Sequence, residues 1–425
     1  MSPQIRFNYI IVLTIVTGYF FGFYFNEDSA GGGKIDLFEH EWGNFLLFRN
    51  APLVETLISL DYESSRTPLF LIIHKYNFLI KEIDDLRLVT FCFGIFTFLF
   101  FYICLKNIFK DKDKSLILLV SSLILLSPYF RSSVFWANQE HLSIFFCILS
   151  LIFFYSSIEI ESKKNKTFKY YTFTVVSSIF CFLSFYSDQK FFFLAPIIYF
   201  YFIKNNSIKF FLIYSFINFL LFLPAIYLFY IWEGIVPVES QFRLIYSPSN
   251  LNIFISNIGI YFIPFFLILF YKNKFKPILI NIKELFLITI IGVILIFLLP
   301  TNPSTEGSGI VFKLLSTIYL KEYFLLEWKI FKIIYLIINI FFIYIILIFL
   351  KITIKNLFII LSFALIFQLT YFTYQSYVDP IFLIMIYSLF DMKNINLMNP
   401  KVIHFNLVFY AFILISSIIF RAYVI

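Results

Sequence analysis

RLVTFCFGIFTFLFFYICLK, residues 87–106, carries no charge between Arg87 and Lys106. Twenty residues of α-helix rise about 30 Å, the thickness of a bilayer's hydrocarbon core. Comparable runs recur near residues 8–25, 115–130, 142–158, 170–187, 190–203, 208–230, 253–271, 284–300, 330–350, 356–373, 379–390 and 402–420. The reading is an all-α integral membrane protein with about 11–13 transmembrane helices. The runs 190–203 and 379–390 are short, as tilted or half-membrane elements would be.

The composition agrees. Of 425 residues, 61% are apolar and only 14% charged, against about a quarter charged in a soluble domain. A soluble enzyme, a nucleic-acid binder and a disordered scaffold are excluded. The aromatic excess, 64 Phe and 29 Tyr, reads as lipid-facing filler, with a sugar-stacking surface as the alternative. Cys92, Cys104, Cys147 and Cys181 all fall inside apolar runs with no C-x-x-C spacing, so neither a disulfide framework nor a zinc site is indicated.

Charge sets the topology. TPLFLIIHKYNFLI, residues 67–80, is too short to span and carries His74 and Lys75 centrally, which suits an interfacial or re-entrant helix. With it left on the surface, the loops on the Arg6 side carry net +13 and the opposite loops net −5. The clusters Lys106–Lys114, Lys163–Lys169 and Lys272–Lys283 then mark the cytoplasmic face. The N-terminus is expected there, residues 8–25 read as an uncleaved anchor, and the chain is expected in a bacterial inner membrane.

Function is expected on the outer face. Its longest polar segments are 26–66 and 301–328. In residues 36–49, a helical period groups Phe38, Trp42, Phe45 and Leu46 on one face, with Asp36, Glu39, His40 and Gly43 opposite. This predicts a juxtamembrane amphipathic helix with its acid and imidazole groups toward a cavity and Asp36 within reach of His40. A lone carboxylate beside an acceptor hydroxyl is the minimum for general-base catalysis, although a solvated helix face has the same pattern. Other outer turns bring Arg131, Trp136, Asn138, Glu140 and His141; Asp188, Gln189 and Lys190; Glu233 and Arg243; and Gln375, Tyr377 and Asp379. Interfacial anchors look alike one by one, but together these turns face one compartment. TNPSTEGSG, residues 301–309, reads as surface linker. The span interiors hold almost no ionisable groups, which argues against an ion-coupled pump.

KIDLFEHEW, then SRTPLFLIIHKYNFLI, then a span beginning near Arg87 resembles the C-type (GT-C) membrane glycosyltransferases. In that superfamily an early acid in the first outer loop precedes juxtamembrane helices and a PLF- or PLY-like segment. Ser127-Pro128, Arg131-Ser132 and Trp136 are similar to the next outer loop of that superfamily, with Glu140 where Asp is commoner. The resemblance covers residues 1–250, a catalytic module including outer loop 26–86, and fades over 251–425, a variable C-terminal region. It implies inverting transfer of a sugar from a polyprenyl-phosphate donor to a hydroxyl of a glycan, lipid or protein acceptor. Asp36 would be the base, and Glu140 would orient the acceptor or help hold a divalent cation such as Mg or Mn. Glu39, His40, Asp188 and Gln189 would line the substrate site. The cations Arg66, Arg131, Lys190 and Arg243 would face the leaving phosphate, or snorkel to headgroups in the case of Lys190 and Arg243. The lipid tail would lie near 190–230. Membrane lipids are expected partners and nucleic acid is not. A flippase or transporter of lipid-linked sugars, a polysaccharide polymerase or ligase, and a structural membrane subunit are the competing readings.

Overall fold

The computed structural model describes residues 2–30, 32–64, 66–162, 168–204, 206–243, 249–274, 281–298, 309–320, 328–368 and 375–423. Parts of two lysine clusters (163–167 and 275–280) and most of the expected linker (301–308) lie outside the described residues. The chain divides into two compact units, residues 1–242 with 410–425, and residues 243–409. Among the described residues no strand forms beyond one isolated bridge between Leu350 and Met392.

In the first unit, α1 (Pro3–Tyr24) starts where Ser2 accepts a hydrogen bond from Ile5 N and Pro3 takes the first turn. The loop after it holds α2 (Gly33–Asp36), a π-helical turn at Leu37–Glu41, then α3 (Trp42–Asn50) and α4 (Leu53–Ile58). The 67–80 run is the seven-residue α5 (Leu69–Lys75) and a turn. Glu82 and Asp85 form a capping box at the start of the long α6 (Ile83–Ile108).

The next run is not straight. α7 (Lys114–Ser122) tightens into a 3₁₀ turn at Leu123–Leu126, and α8 (Pro128–Phe135) leaves at 66°. Ser127 caps α8 at Phe130 N, 3.0 Å, and Pro128 disfavours helical backbone at the residue before it, so the sequence Ser-Pro sets the bend. α9 (Glu140–Ser162) and α10 (Phe168–Ser187) pack through serines. Ser150 Oγ donates to Ser177 O at 2.8 Å, Ser177 Oγ returns to Ser150 O at 2.9 Å, and Ser184 Oγ donates to Ser143 O at 2.7 Å. Small hydroxyl residues let two apolar helices approach closely in lipid. A 3₁₀ turn at Gln189–Phe193 leads into α11 (Leu194–Lys204), followed by α12 (Ile208–Ile231).

These elements run between two ends of the unit. One end bears the loop at 26–82 and the turns at 135–141, 187–190 and 232–241. There Arg87 Nε donates to Phe135 O at 3.0 Å, Trp232 Nε1 to Leu57 O at 2.8 Å, and Gln189 Nε2 to Ile235 O at 3.4 Å. At the other end Asn8 Nδ2 meets Ser115 Oγ at 3.0 Å, Lys110 Nζ meets Glu159 Oε2 at 2.6 Å, and Asn206 Nδ2 meets Tyr170 OH at 2.7 Å. α7 and α8 together cover the distance once, and so does the 3₁₀ turn with α11. α20 (Pro400–Tyr423) brings Arg421 Nη2 to 3.7 Å from Asp28 Oδ2 at the loop-bearing end.

The second unit comprises α13 (Asn250–Gly259), α14 (Ile263–Lys272), α15 (Ile282–Phe297), α16 (Gly309–Leu320), α17 (Trp328–Phe349), α18 (Ile354–Gln368) and α19 (Ile381–Ser388). α13 buries Asn250, Asn252, Ser256 and Asn257. Ser256 Oγ lies 3.0 Å from Tyr335 OH, and Asn252 Nδ2 donates to Leu298 O at 2.7 Å. Lys393 pairs with Glu284, and Lys355 with Asp391 at 2.9 Å.

Among the described residues eight helices are long and apolar enough to cross a membrane, nine with the bent pair counted as one span. This is a multi-pass, all-α membrane protein. The expected spans at 190–203, 284–300, 356–373 and 379–390 correspond to shorter helices of 11, 16, 15 and 8 residues.

Candidate functional site

The amphipathic helix expected over 36–49 forms with a different face inward. Leu37, Glu41, Asn44, Phe45 and Phe48 are buried, whereas Phe38, Leu46 and Glu39 are exposed. Leu37, Glu41, Asn44 and Phe48 follow ordinary helical spacing, so the inward stripe lies about a quarter-turn from the apolar one and carries Glu41 into the protein, with Phe45 on the border of both. Gly33, next to Gly32 at the start of α2, sits where a Cβ would meet Ser132 Oγ at 2.3 Å, so the turn presses directly on α8.

Glu41 enters a buried network of charged side chains. Its Oε1 lies 3.1 Å from Arg66 Nη1, and Oε2 accepts from Gln139 Nε2 at 2.8 Å. Arg66 Nε lies 3.5 Å from Asp188 Oδ2. Lys190 Nζ is 3.4 Å from the same Asp188 oxygen and donates to Glu140 Oε1 at 2.5 Å. Thus the first loop and the turns before α9 and after α10 meet, joining Arg66, Glu140, Asp188 and Lys190 of the expected site. Gln189 Oε1 accepts from Thr67 N at 3.1 Å and fastens the segment after Arg66. Asp36, half-buried at the end of α2, is close enough that its charge acts on both Arg66 and Glu41.

The electrostatics follow from burial. Desolvation pushes the Glu41 carboxyl above the usual carboxylate range, against the pull of Arg66 and the Gln139 hydrogen bond. Burial works against the Arg66 charge, but Asp188, Glu41, Glu140 and Asp36 together outweigh it and hold the guanidinium firmly cationic. Arg66 remains about one-fifth exposed, and among the described residues its Nη2 makes no hydrogen bond. With Nη1 held by Glu41 and Nε facing Asp188, Nη2 is the donor left for an anionic oxygen.

Other expected site residues lie apart. His40 Nδ1 meets Glu63 Oε2 at 3.1 Å on the exposed rim, where Asn44 also accepts from Glu63 N at 3.2 Å. Glu39 is exposed beside it. Arg131 does not join the cluster, because its donors go to Glu27, Leu125 O at 3.2 Å and Gly18 O at 3.1 Å. Buried, with all three nitrogens engaged, it is committed to Glu27 and to backbone carbonyls rather than to the cluster. Arg243 ends the 3₁₀ turn Val238–Arg243, and its side chain lies outside the described residues. Gln375, Tyr377 and Asp379 belong to the second unit, where Gln375 Nε2 donates to Tyr261 OH at 3.0 Å.

Glu140 does not suit a divalent cation. The Lys190 ammonium occupies its carboxylate, and among the described residues no three His, Cys, Asp or Glu side chains are grouped to hold a metal.

Sequence reading misses Glu41 and Gln139, which join the cluster, and Glu27, which holds Arg131 apart from it. Glu27 has a legible signal, an acid set directly after an apolar span. Glu41 shares a helical stripe with Leu37, Phe45 and Phe48, but an acid among them gives no sign of the Arg66 that holds it.

No family model matches the chain, and no curated protein or solved structure is similar to it.

Proposed function

We propose that the protein is a membrane glycosyltransferase that moves a sugar from a polyprenyl-phosphate donor to an acceptor hydroxyl, with inversion, on the face bearing the 26–82 loop. The observation that carries this reading is Arg66. Its guanidinium is braced by two buried carboxylates through Nη1 and Nε, its Nη2 makes no hydrogen bond among the described residues, and it stands close to the half-buried Asp36.

In the proposed reaction Asp36 takes the acceptor hydroxyl's proton as that oxygen attacks the anomeric carbon. The bond from the anomeric carbon to the phosphate oxygen breaks, and its electron pair leaves on the polyprenyl phosphate. Arg66 meets the charge that develops there. Glu41 and Asp188 keep the guanidinium in place before the donor arrives, so little reorganisation accompanies the step. Lys190 and Glu140 neutralise each other behind it. The exposed flank of α12, with Phe216, Phe219, Leu220, Leu223 and Tyr227, offers lipid-facing surface for the polyprenyl tail near the expected 190–230 stretch.

The test is release of polyprenyl phosphate by purified protein supplied with a panel of polyprenyl-phosphate monosaccharides and lipid or glycan acceptors. Release by the wild type and none by Asp36→Asn supports the reading. Equal release by both sinks the base assignment. Saturable donor binding with transbilayer movement but no release, alike in both proteins, favours the transporter.

A further inference from the structure

At the loop-bearing end of α12 a groove of about 600 Å³ is lined by Ile58, Phe229, Tyr230, Ile231 and Glu233, a size that suits a small ligand or part of a lipid. Its walls are fixed. Trp232 Nε1 donates to Leu57 O at 2.8 Å, tying α4 to the end of α12, and Gln241 Nε2 donates to Trp232 O at 2.6 Å behind it.

The helix end itself is unusual. Gly234 N donates to Phe229 O at 3.1 Å and Glu233 N to Tyr230 O at 3.4 Å, the paired bonds of a Schellman cap. The residue in the left-handed position of that cap is ordinarily glycine. Here it is Glu233, at φ +51°, with the glycine one place later. A carboxylate held in backbone that glycine would occupy more easily is a local strain of the kind retained for function. It stands at the mouth of a groove whose other four lining residues carry no charge.

The occupant follows from position and charge. α12 is the least buried of the long apolar helices, and Tyr230 and Ile58 are exposed at the groove, so the site opens toward the acyl chains of the bilayer. The aliphatic and aromatic walls suit a chain, and a rim carboxylate with no ion pair among the described residues suits a cationic hydrogen-bond donor. We propose that this groove is a binding site for a membrane lipid with a primary ammonium headgroup, the chain lying against Ile58, Phe229 and Ile231 and the ammonium on Glu233. The site stands independently of the transfer reaction.

The test uses full-length protein stripped of lipid in detergent and titrated with phosphatidylethanolamine or phosphatidylglycerol of matched chains, with bound lipid read by native mass spectrometry. A charge-assisted hydrogen bond predicts about tenfold tighter binding of phosphatidylethanolamine. Glu233→Gln and Glu233→Gly should both bring the ratio near one. Because glycine suits the cap better, Glu233→Gly should melt no lower than wild type, which separates lost recognition from lost folding. Ile58→Trp should fill the groove and weaken both lipids. Equal affinities in the wild type, or a preference that survives Glu233→Gly, would overturn the proposal. Tighter binding of phosphatidylglycerol would overturn it in favour of an anionic lipid.

Discussion

Glu27 and Arg131 stand 104 residues apart and close a two-point ion pair, with Arg131 Nε 2.7 Å from Glu27 Oε1 and Nη2 on Glu27 Oε2. Arg131 is only 3% exposed, and Trp136 Nε1 fixes the same loop by donating to Glu27 O at 2.8 Å. The pair ties the turn that leads to α2 onto α8.

Removing one partner of such a pair leaves a buried charge without its counter-ion. Glu27→Gln is therefore expected to lower unfolding stability by about 3–5 kcal/mol. Gly22→Ala, whose methyl would fall 2.1 Å from Arg131 Nη2, should destabilise by about 1–3 kcal/mol through overpacking. Thermal or chemical unfolding in detergent reads both, and a Glu27→Gln protein as stable as wild type would refute the role given to the pair.

Arg66→Lys keeps the charge but loses the planar fork that Glu41 and Asp188 grip. Release of polyprenyl phosphate should fall about 10- to 100-fold, while the protein still inserts and folds. Unchanged turnover would remove Arg66 from the phosphate site.

His74 predicts a pH dependence. Neither ring nitrogen has a hydrogen-bond partner among the described residues, and burial lowers its pKa to about 4 from 6.5. The folded protein keeps this imidazole neutral while the unfolded chain protonates near 6.5. Its contribution is therefore fully present above pH 6.5 and is lost as pH falls toward 4, by roughly 3 kcal/mol in all. His74→Leu should flatten the stability-against-pH curve in that window. Identical curves for the two proteins would contradict it.

The contacts at the two ends of the first unit predict which loops share a membrane face. In a protein whose native cysteines are replaced, cysteines at Glu63, Glu233 and Ala422 should react with an impermeant maleimide from one side, and one at Lys112 from the other. Labelling of position 422 together with 112 would break the prediction.

The long helices were legible because their signal is local. A run such as 87–106 must bury its own backbone polar groups in lipid, and only a helix does so. The 115–130 run reads as one straight span, although the cause of its bend after Leu126 lies in Ser127-Pro128. The 36–49 helix is legible, but its inward face is only half so: Phe45 is buried as its spacing implies, whereas Phe38 and Leu46 are exposed and the stripe through Glu41 turns inward. Arg66, Glu140, Asp188 and Lys190 were legible as polar residues at loop mouths. Their meeting was not, because Arg66, Glu140 and the turn that carries both Asp188 and Lys190 come from three different loops. Arg131 was assigned to phosphate for want of any sign in the sequence that Glu27 already holds it.

Asp28 and Arg421 meet across 393 residues of sequence. While the chain is still emerging, the segment after α1 has Glu27 and Arg131 to shape it, but its contact with α20 must wait for every intervening helix to be inserted. The loop that holds Asp36 is thus begun early and closed late. A nascent protein halted before α20 would carry the surroundings of Asp36 with one side still unfastened.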